Sequence, residues 1–507
     1  MSAPTLRPDQ LDVIAQIESE IAAGRRRLCV PARPGWGKTV VAAALIANAV
    51  VRGRRVLFLA HRRELIKQAS AKLLAAGVLD HAILAADFPA RLSAPVQVSS
   101  IPTLYARAVR TRTIDLPAAD VLFVDEAHHA RARSYEKLIA AYPHAIVIGL
   151  TATPCRADGR GLGNIFQTLI PCPSHAELTK SGILVSAKFY APVRPDLKGV
   201  RVERGDYVES QLAERMDKGK LVGDIVSHWH KLGERRRTVV FATGVAHSVH
   251  VRDEFRRSGV LAEHIDGSTP VEERDAILAR LAAGTVDLVC NAMVLTEGWD
   301  RPEVSCLILA RPTKSLGLYL QMVGRVLRSS PGKTDALILD HSGAVFQHGF
   351  PDDEISWTLD TDKKAVNEAH AVRQAEPHSR GLATCPECHA VRVEGQPYGS
   401  CGWHPVKKPK SVEIADGELG YVDRNRVVRR LVYGAEEKFR FYRQLLYIAN
   451  ERGYQIGWAA HKHKEKFGEW PPNHWRGSSP LAPSPEVRAF VRSRQIAYAK
   501  SRARRSA

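Results

Sequence analysis

A chain of 507 residues, 45% of them hydrophobic, is long enough for two or three domains with substantial cores. It has no apolar run near the roughly 20 residues that a membrane-spanning helix needs, and its first ten residues lack the basic-then-apolar order of a secretory signal. Eight cysteines in this length do not suggest a disulfide framework, so we expect a reducing, cytoplasmic compartment. Frequent Ala and Arg are typical of GC-rich bacterial or phage genomes.

The formal net charge of +19 is unevenly distributed. Residues 401–507 contain 22 Lys and Arg residues against 10 Asp and Glu residues, so more than half of the excess lies in the last fifth of the chain. A basic region of this kind is typical of proteins that bind a polyanion. We expect nucleic acid as the partner, and no membrane.

The first predicted helix covers residues 8–23, where apolar residues recur on one face and Gly24 ends the pattern. Gln10 lies near its start, and its side-chain amide can both donate to and accept from an adenine edge. The alternative is a solvated glutamine.

Residues 29–39 have the features of a phosphate-binding loop. An apolar strand at 28–30 runs into a turn that contains Gly35 and Gly37, and Lys38 and Thr39 then open an Ala/Val-rich helix. Backbone N–H groups in such a turn point at phosphate oxygens, Lys38 adds positive charge, and the Thr39 hydroxyl can bind Mg²⁺. Glycines let the backbone approach the phosphates closely. The alternative is a Gly/Pro loop with a solvated lysine.

Beyond this loop, short apolar runs alternate with helical segments, which predicts parallel sheets covered on both faces. The predicted strands of the first unit lie at 28–30, 55–60, 96–99, 121–124 and 145–150. The pattern then restarts, with strands at 238–241, 262–265, 287–290, 305–309 and 336–339. The sequence therefore predicts two α/β units.

Polar residues follow two strands of the first unit, at the sheet edge where functional groups of open α/β sheets collect. Asp125 can hold Mg²⁺ and Glu126 can polarise a water for attack on the γ-phosphate. His128 can couple this site to the rest of the cleft. Asp125 and Glu126 form an acidic tip at the end of their strand. The hydroxyls of Thr151 and Thr153 can hydrogen-bond to this acidic tip or to His128, and these bonds can respond to the nucleotide that is bound. A solvated polar turn is the alternative.

Over residues 5–345 these segments resemble, in order, the motifs of the superfamily 2 helicases and translocases with a DEAH-type box. The matching segments are 32–39 (motif I), 61–65 (Ia), 99–104 (Ib), 125–128 (II), 151–153 (III), 239–243 (IV), 295–300 (V) and 321–328 (VI). Eight motifs in order are far more specific than any one of them. The chain departs from the family at Trp36, a loop position that is usually small, where we expect the indole to stack on or block something nearby.

The resemblance implies two tandem RecA-like domains that bind ATP and Mg²⁺ between them. Arg325 and Arg328 are three residues apart, so both can point from one helical face into the interdomain cleft. By the resemblance, Arg328 is the arginine finger and Gln321 links nucleotide to nucleic acid, while Asp300 approaches the ribose hydroxyls. The residues that the resemblance assigns to the nucleic-acid backbone are His61, Arg62, Thr103 and Thr296. Without the other motifs, the two arginines would be a solvated basic face.

Two pairs of metal-ligating residues follow the motor. Cys385 and Cys388, then Cys401 and His404, have the spacing of a tetrahedral Zn²⁺ site, with His389 as an alternative ligand. Four protein ligands indicate a structural zinc ion.

The last hundred residues are basic with interleaved aromatic residues. Such a composition suits either stacking on single-stranded nucleic acid or a small helical domain with an aromatic core, and both readings stay open. This region is also where partner proteins of replication, recombination or repair would bind.

The predicted organisation is therefore α/β, with two tandem RecA-like parallel-sheet domains followed by a small zinc ribbon and a basic, mainly helical C-terminal region. The predicted boundaries are 1–185 (first RecA-like domain), 186–215 (connector), 216–345 (second RecA-like domain), 346–380 (linker), 381–406 (zinc-binding module) and 407–507 (basic region).

The predicted function is that of an ATP-dependent helicase or translocase, with DNA favoured over RNA. The alternatives are a motor subunit of a restriction-type system, an RNA helicase, and a non-catalytic, zinc-dependent nucleic-acid-binding protein.

Overall fold

The structure is a computed structural model that describes residues 5–86, 88, 91–130, 132–156, 158–191, 195–203, 205–217, 219–362, 364–375, 381–394, 396, 401, 403, 434–491 and 494–495. The chain divides into two compact units, residues 1–406 and 407–507.

The first domain of unit 1 is built on a seven-stranded parallel sheet with the order β3-β4-β2-β5-β6-β1-β7. Its strands are β1 (Arg27–Pro31), β2 (Val56–Ala60), β3 (His81–Leu84), β4 (Val96–Ser100), β5 (Val121–Asp125), β6 (Ile146–Thr151) and β7 (Thr168–Leu169). Successive side chains of a strand point to opposite faces, so Phe58 of β2 packs in one core cluster and Leu57 and Leu59 in another. The sheet is thus buried on both sides.

In the described part of this domain, six α-helices surround the sheet. They are α1 (Pro8–Ala22), α2 (Lys38–Val51), α3 (Arg63–Ala75), α4 (Ile101–Leu104), α5 (Arg133–Ala140) and α6 (His175–Lys180). Val13, Ile14 and Ile17 form the buried face of α1, as the apolar periodicity predicts. A π-helix, Tyr105–Arg110, continues α4.

The second domain of unit 1 has a six-stranded parallel sheet with the order β12-β13-β11-β14-β15-β8, and a short antiparallel ribbon of β9 and β10. Its strands are β8 (Ser186–Tyr190), β9 (Val202–Glu203), β10 (Asp206–Tyr207), β11 (Thr238–Phe241), β12 (Ala262–Ile265), β13 (Leu288–Asn291), β14 (Cys306–Leu309) and β15 (Asp335–Asp340). Its helices are α7 (Glu209–Met216), α8 (Gly219–Leu232), α9 (Val245–Arg257), α10 (Val271–Ala283), α11 (Leu316–Gly324) and α12 (Ala344–His348). Two successive parallel α/β domains confirm the predicted fold class.

Residues 186–190, which the sequence analysis assigned to the connector, form the edge strand β8 of the second sheet. The strand pairs with β15, and Lys188 Nζ lies 2.7 Å from Asp335 Oδ2. Only Phe189 and Tyr190 of β8 are buried, because the strand lies at the sheet edge. Sequence reasoning therefore had no continuous apolar run to detect.

The segment after the second domain returns to the first. It contains the antiparallel strands β16 (Ile355–Ser356) and β17 (Val366–Asn367) and helix α13 (Glu368–Ala375). Gly163 N–H donates to Leu359 O at 2.7 Å, and the Arg33 guanidinium lies 5.6 Å from the ring centre of Trp357. This part of the predicted linker is thus packed against the first domain.

A β-hairpin then extends the edge of the second sheet. Its strands are β18 (Leu382–Thr384) and β19 (Val391–Val393), and an antiparallel bridge joins Ala390 to Tyr190 of β8. The hairpin loop contains Cys385 and Cys388, so these two predicted metal ligands are attached to the second domain.

Unit 2 is helical in the residues that the structure describes. Helices α14 (Ala435–Glu451) and α15 (Ile456–Phe467) pack around a core that includes Tyr442, Leu445 and Trp475. Seven of the ten aromatic residues that the structure describes in this basic region belong to this core or pack against it, as one of the two readings of the sequence had it. No helix in the described ranges of the chain combines the length and the apolar character that a bilayer crossing demands.

Candidate nucleotide site between the two α/β domains

The turn between β1 and α2 has the geometry of an anion cradle. Gly35 and Gly37 have φ values of +87° and +101°, a backbone conformation that other residues rarely adopt. The backbone N–H groups of Gly35, Lys38 and Thr39 donate to no acceptor among the described residues. Free N–H groups at the start of a helix favour a bound anion.

Lys38 contacts both carboxylates at the end of β5. Its Nζ forms an ion pair with Glu126 Oε1 and lies 3.2 Å from Asp125 Oδ1. Burial by itself lowers the pKa of Lys38, but the two carboxylates raise it above its ordinary value. The same lysine lowers the pKa of Glu126 despite burial, whereas burial, together with the charge of Glu126, raises the pKa of Asp125.

Two features of this acidic tip indicate a functional site. Glu126 has a φ of +49°, so a non-glycine residue is held in the left-handed region, a conformation that costs energy and tends to occur at functional positions. Asp125 Oδ1 and Glu126 Oε2 are buried, and their ion-pair partners, Lys38 Nζ at 3.2 Å and His128 Nδ1 at 3.4 Å, do not reach hydrogen-bond geometry. Such carboxylate oxygens are the ligands that Mg²⁺ prefers, and they fit a divalent cation.

The second domain contributes two arginines to the same cavity. Arg325 and Arg328 line a cavity of about 330 Å³ together with Lys38, Thr39 and Glu126. Burial, and then the charge of Arg328, lowers the pKa of Arg325 to about 10, so its guanidinium stays protonated at neutral pH.

The two arginines are held in different ways. Arg325 Nε donates to Thr296 O at 2.9 Å and its Nη1 to Trp299 O at 3.1 Å, so its position is set by backbone carbonyls. Arg328 forms an ion pair with Asp300, a side chain that is 61% exposed. Arg328 Nε is buried and has no hydrogen-bond partner among the described residues, which leaves a donor for an anion in the cavity.

Helix α11 ends at Gly324, so Arg328 lies beyond the helix and the prediction that the two arginines share one helical face is wrong. The end of α11 lies against the phosphate loop. A Cβ added at Gly324 would lie 2.7 Å from Pro34, and one added at Gly35 would lie 3.0 Å from Arg328 Cγ. The cleft is therefore closed in this structure.

A second cluster joins the domains beside the cavity. Glu297, which is 6% exposed and follows β13 in the second domain, faces three histidines of the first domain. Its carboxylate oxygens lie 2.8 Å from His61 Nε2, 3.4 Å from His128 Nε2 and 3.4 Å from His129 Nε2. Because His128 Nδ1 also lies 3.4 Å from Glu126 Oε2, one imidazole connects the acidic tip to the second domain.

The charges of this histidine–Glu297 cluster follow from its contacts. Burial opposes protonation of His128, but Glu126 and Glu297 outweigh it and raise the pKa of His128 to about 9. The histidines in turn lower the pKa of the buried Glu297 carboxyl. His61, His129 and Glu297 have donor atoms within 4.8 Å of one another, as metal ligands do. However, Arg62 Nε at 3.5 Å and protonated His128 already neutralise Glu297, so we read the cluster as an ionic contact between domains.

The residues predicted to couple the nucleotide to the cleft lie together. His128 Nδ1 is 3.1 Å from Thr151 Oγ1, and the same imidazole is 3.4 Å from Gln321 Nε2 across the domain boundary. Thr153 is buried, and a Cβ added at Gly317 of α11 would lie 3.2 Å from its hydroxyl.

The residues predicted to bind the nucleic-acid backbone are more dispersed. Arg62 Nη1 donates to Val294 O at 3.0 Å, so both it and His61 contact the second domain in the closed cleft. Thr296 is buried, and its hydroxyl donates to Met293 O at 2.9 Å. Thr103 lies half-buried on α4. Their nucleic-acid role stays a prediction.

Three of the four predicted zinc ligands lie close together. Cys385, Cys388 and Cys401 have sulfur atoms within 4.8 Å of one another, while His404 lies outside the described residues. Burial raises the pKa of the Cys385 thiol, but backbone N–H groups of Cys388 and Glu387 donate to it and lower its pKa below the ordinary value. N–H groups that stabilise a thiolate fit a zinc ligand.

Sequence reasoning did not single out Glu297 or Asp9. Glu297 lies inside the segment that resembles motif V, and a carboxylate after a parallel strand was the available signal. Asp9 precedes Gln10 and accepts a hydrogen bond from Trp36, a contact that no sequence pattern indicates.

Two family models match the two domains. The model described as "Type III restriction enzyme, res subunit" matches residues 3–156, and the "Helicase conserved C-terminal domain" matches residues 217–330. The chain belongs to the superfamily 2 helicases. As a member, it has the two-domain motor of an ATP-dependent helicase or translocase, and such helicases use ATP and Mg²⁺.

Relatives of this helicase match most of its motor. A 51.5 kDa protein of a Lactococcus phage is 28% identical over 408 residues, which cover 80% of this chain and 84% of the phage protein. The Putative ATP-dependent helicase IRC3 of Saccharomyces cerevisiae is 30% identical over 68% of this chain. The match covers 52% of the yeast protein, so this helicase spans about half the length of that relative.

A solved structure has the same fold. The fragment of a putative HsdR subunit of a type I restriction enzyme from Vibrio vulnificus superposes with a TM-score of 0.53 at 21% identity. The superposition covers 72% of this chain and 71% of the fragment. This structural similarity supports the presence of two tandem RecA-like domains within unit 1.

Proposed function

We propose that this protein is a nucleic-acid-stimulated ATPase that moves along DNA and binds ATP between its two α/β domains. The observation that carries the proposal is the shared cavity, to which one domain contributes Lys38 and Glu126 and the other Arg325 and Arg328. Hydrolysis of a triphosphate spreads negative charge over the phosphate oxygens, and cations on both walls stabilise that charge.

In this proposal the first domain binds the nucleotide. The free N–H groups of the loop and the Lys38 ammonium bind the phosphates, and Thr39 and Asp125 would hold Mg²⁺. The metal, when bound, neutralises charge that develops on the phosphate oxygens. A bound triphosphate attracts Lys38 away from Glu126, and the released carboxylate then orients the attacking water and accepts its proton.

The second domain completes the site. Arg328 exchanges its ion pair with Asp300 for the γ-phosphate and acts as the arginine finger, with Arg325 beside it and Asp300 near the ribose hydroxyls. Once hydrolysis removes the anion that both domains bind, the attraction across the cleft falls and the domains separate.

Coupling to the nucleic acid runs through the histidine–Glu297 cluster. His128 contacts Glu126, Thr151 and Gln321 as well as Glu297, so a shift of either domain changes the surroundings of the catalytic carboxylate. His61, Arg62, Thr103 and Thr296 are the proposed backbone contacts. Because backbone contacts carry little sequence information, the motor is expected to tolerate most sequences.

DNA is proposed over RNA because the family model of the first domain describes a subunit of a restriction enzyme, and restriction enzymes act on DNA. The test is ATP turnover by the purified full chain with single-stranded DNA, duplex DNA and RNA of equal length, at one fixed salt concentration.

We expect DNA to stimulate turnover more than RNA does. Stimulation by RNA alone would contradict the choice of DNA, and no turnover with any nucleic acid would contradict the motor. Stimulation by duplex DNA alone would favour a restriction-type motor that translocates without separating strands.

The cysteine cluster is proposed to bind one structural zinc ion, with His404 as the fourth ligand. Metal analysis of the purified protein is expected to find one zinc per chain, and Cys388→Ser to remove most of it. Cys172→Ser, a free cysteine outside the cluster, is the matched control and should retain the metal. A zinc-free wild-type protein would contradict this assignment.

A further inference from the structure

Trp36 is the one residue of the phosphate loop that departs from the family pattern, and the structure shows what the indole contacts. Its side chain is fully buried, and its Nε1–H donates to Asp9 Oδ2 at 2.6 Å. The phosphate loop is thereby joined through a side chain to the first turn of α1.

Arg7 contacts both Asp9 and Trp36, so the three residues form a closed ring of hydrogen bonds. Its Nε donates to Asp9 Oδ1 and its Nη2 to Asp9 Oδ2, both at 2.9 Å, which is the paired geometry of a strong charge-assisted contact. The same Nη2 donates to Trp36 O at 2.8 Å. The side chain and the carbonyl of Trp36 are therefore both held by the pair of Arg7 and Asp9.

The hydrogen-bonded ring of Arg7, Asp9 and Trp36 also sets the orientation of the Gln10 side-chain amide. Gln10 Nε2 donates to Trp36 O at 3.0 Å, and Gln10 Oε1 accepts from Arg7 N–H at 3.2 Å. A flipped amide would put its oxygen against Trp36 O and its NH₂ against the Arg7 N–H, so only one orientation is allowed. Among the described residues, one amide N–H and one carbonyl lone pair of Gln10 then remain unused, which is the donor–acceptor pair that an adenine edge requires.

The contact between α1 and the loop is also as close as the backbone permits. A Cβ added at Gly37 would lie 2.7 Å from Gln10 Nε2, and Gly37 has a φ of +101°. A small residue in place of Trp36 would leave this contact without the support of the Asp9 hydrogen bond.

We infer that Trp36 is a positioning residue for base selection, which acts through Asp9 and Arg7 to hold the Gln10 amide in its adenine-reading orientation. The inference rests on the proposed function, because it takes the nucleotide bound at Lys38 to be ATP. Guanine has a carbonyl oxygen where adenine has an amino group, so a fixed amide discriminates between the bases and a mobile one does so less.

The experiment measures kcat and KM for ATP and GTP, with saturating single-stranded DNA, for the wild type, Trp36→Phe, Gln10→Ala and the double variant. Trp36→Phe keeps an aromatic ring and removes only the N–H donor and some volume. We expect the ATP-over-GTP ratio of kcat/KM to fall about fivefold to tenfold, through a higher KM for ATP with kcat within about twofold of the wild type. Trp357→Phe, which changes the indole beside Arg33 on the same loop, is the matched control and should keep the ratio.

The double variant tests whether Trp36 acts on base selection through Gln10. If Trp36 acts through Gln10, Trp36→Phe lowers the ratio no further in the Gln10→Ala background. An equal fall in both backgrounds would overturn the inference, and so would an unchanged ratio in Trp36→Phe. Asp9→Asn, which keeps a hydrogen-bond acceptor for the indole but loses the ion pair with Arg7, is the second variant if Trp36→Phe does not fold, and is expected to lower the ratio in the same direction.

The outcomes separate this inference from the proposed function. A wild-type protein without nucleotide turnover contradicts the proposed function. Normal, ATP-selective turnover that Trp36→Phe leaves equally selective contradicts only the role of Trp36.

Discussion

The cleft of unit 1 and the helical unit 2 each bury histidines, with different consequences. In the cleft, His128 lies between the carboxylates of Glu126 and Glu297, and its pKa rises to about 9. In unit 2, the fully buried His463 is surrounded by Tyr442 and Trp475, and burial lowers its pKa below the ordinary value.

This difference separates residues that serve function from residues that serve stability. The cleft retains buried carboxylates at Asp125, Glu126 and Glu297, a costly arrangement that the cations around them and a bound ligand relieve. His463 is neutral, and its Nδ1 is 3.1 Å from the carbonyl of Glu469, so its surroundings resemble an ordinary core. We therefore expect changes in the cleft to alter activity and changes in the core of unit 2 to alter stability.

The largest effect is expected from Glu126→Gln, which keeps the size of the side chain and removes its charge. Loss of the base should reduce ATP turnover by a factor on the order of 10³. Phosphate release with saturating DNA measures the effect. Glu272→Gln, an exposed glutamate on α10, is the matched control and should remain fully active. Normal turnover in Glu126→Gln would contradict the catalytic role proposed for the acidic tip.

Arg328→Ala is expected to lower kcat by a factor on the order of 10² to 10³ with nucleotide affinity much less affected, because the guanidinium acts on charge that develops during hydrolysis. Comparison of turnover with equilibrium binding of a fluorescent nucleotide separates the two effects. Arg328→Lys restores the positive charge but not the planar guanidinium with its paired N–H donors, so it should recover only part of the rate. An equal loss in binding and rate would argue against a finger.

Glu297→Gln tests the contact between the domains. Removal of its charge should lower the stimulation of turnover by DNA about tenfold, while turnover without DNA changes less, since coupling energies are typically on this scale. The measurement is the ratio of turnover with and without single-stranded DNA. Asp287→Asn, an acidic residue just before β13 whose carboxylate accepts from Leu261 N–H, is the control on the same domain. An unchanged ratio would show that the cluster does not couple the two sites.

The smallest effects are expected from pH and distinguish the two histidines. His128 has a raised pKa, so its contribution to stability is complete below about 6.5 and is lost as pH rises through about 9. The groups facing it are Glu126 and Glu297, which favour its charged form. The apparent Tm of the wild type should exceed that of His128→Gln by a few degrees near pH 6, and by less at pH 10.

The pH dependence of the stability that His463 contributes is opposite to that of His128. Its pKa is lowered by burial, with Glu469 opposing and Lys438 reinforcing the shift, so its neutral form is favoured in the folded unit and stability is lost as pH falls below about 6.5. The Tm advantage of the wild type over His463→Gln should therefore shrink on acidification. The same pH trend in both variants would contradict the contrast between the two regions.

Much of the fold and of the nucleotide site was predictable from local pattern. Apolar runs of four to six residues alternating with helices placed the central strands, because a strand buried on both faces must be apolar throughout. The phosphate loop and the acidic tip were predictable for a related reason, since their chemistry depends on residues adjacent in sequence. The edge strand β8 was missed because it is half-exposed and Lys188 interrupts its apolar residues. The edge strand β3 was missed although residues 82–86 are all apolar.

Local sequence patterns were sufficient to predict the two parallel-sheet domains, the loop at Lys38 and the carboxylates at Asp125 and Glu126. Three further features became visible only in the folded chain: the convergence of three histidines on Glu297, the contact of Trp36 with Asp9, and the return of Leu359, Asp360 and Lys364 to the first domain. They differ from the local patterns in the distance along the chain between the residues that meet. Each of these contacts joins residues more than 25 positions apart, and the folding of the sheets, which no local pattern encodes, brings them together.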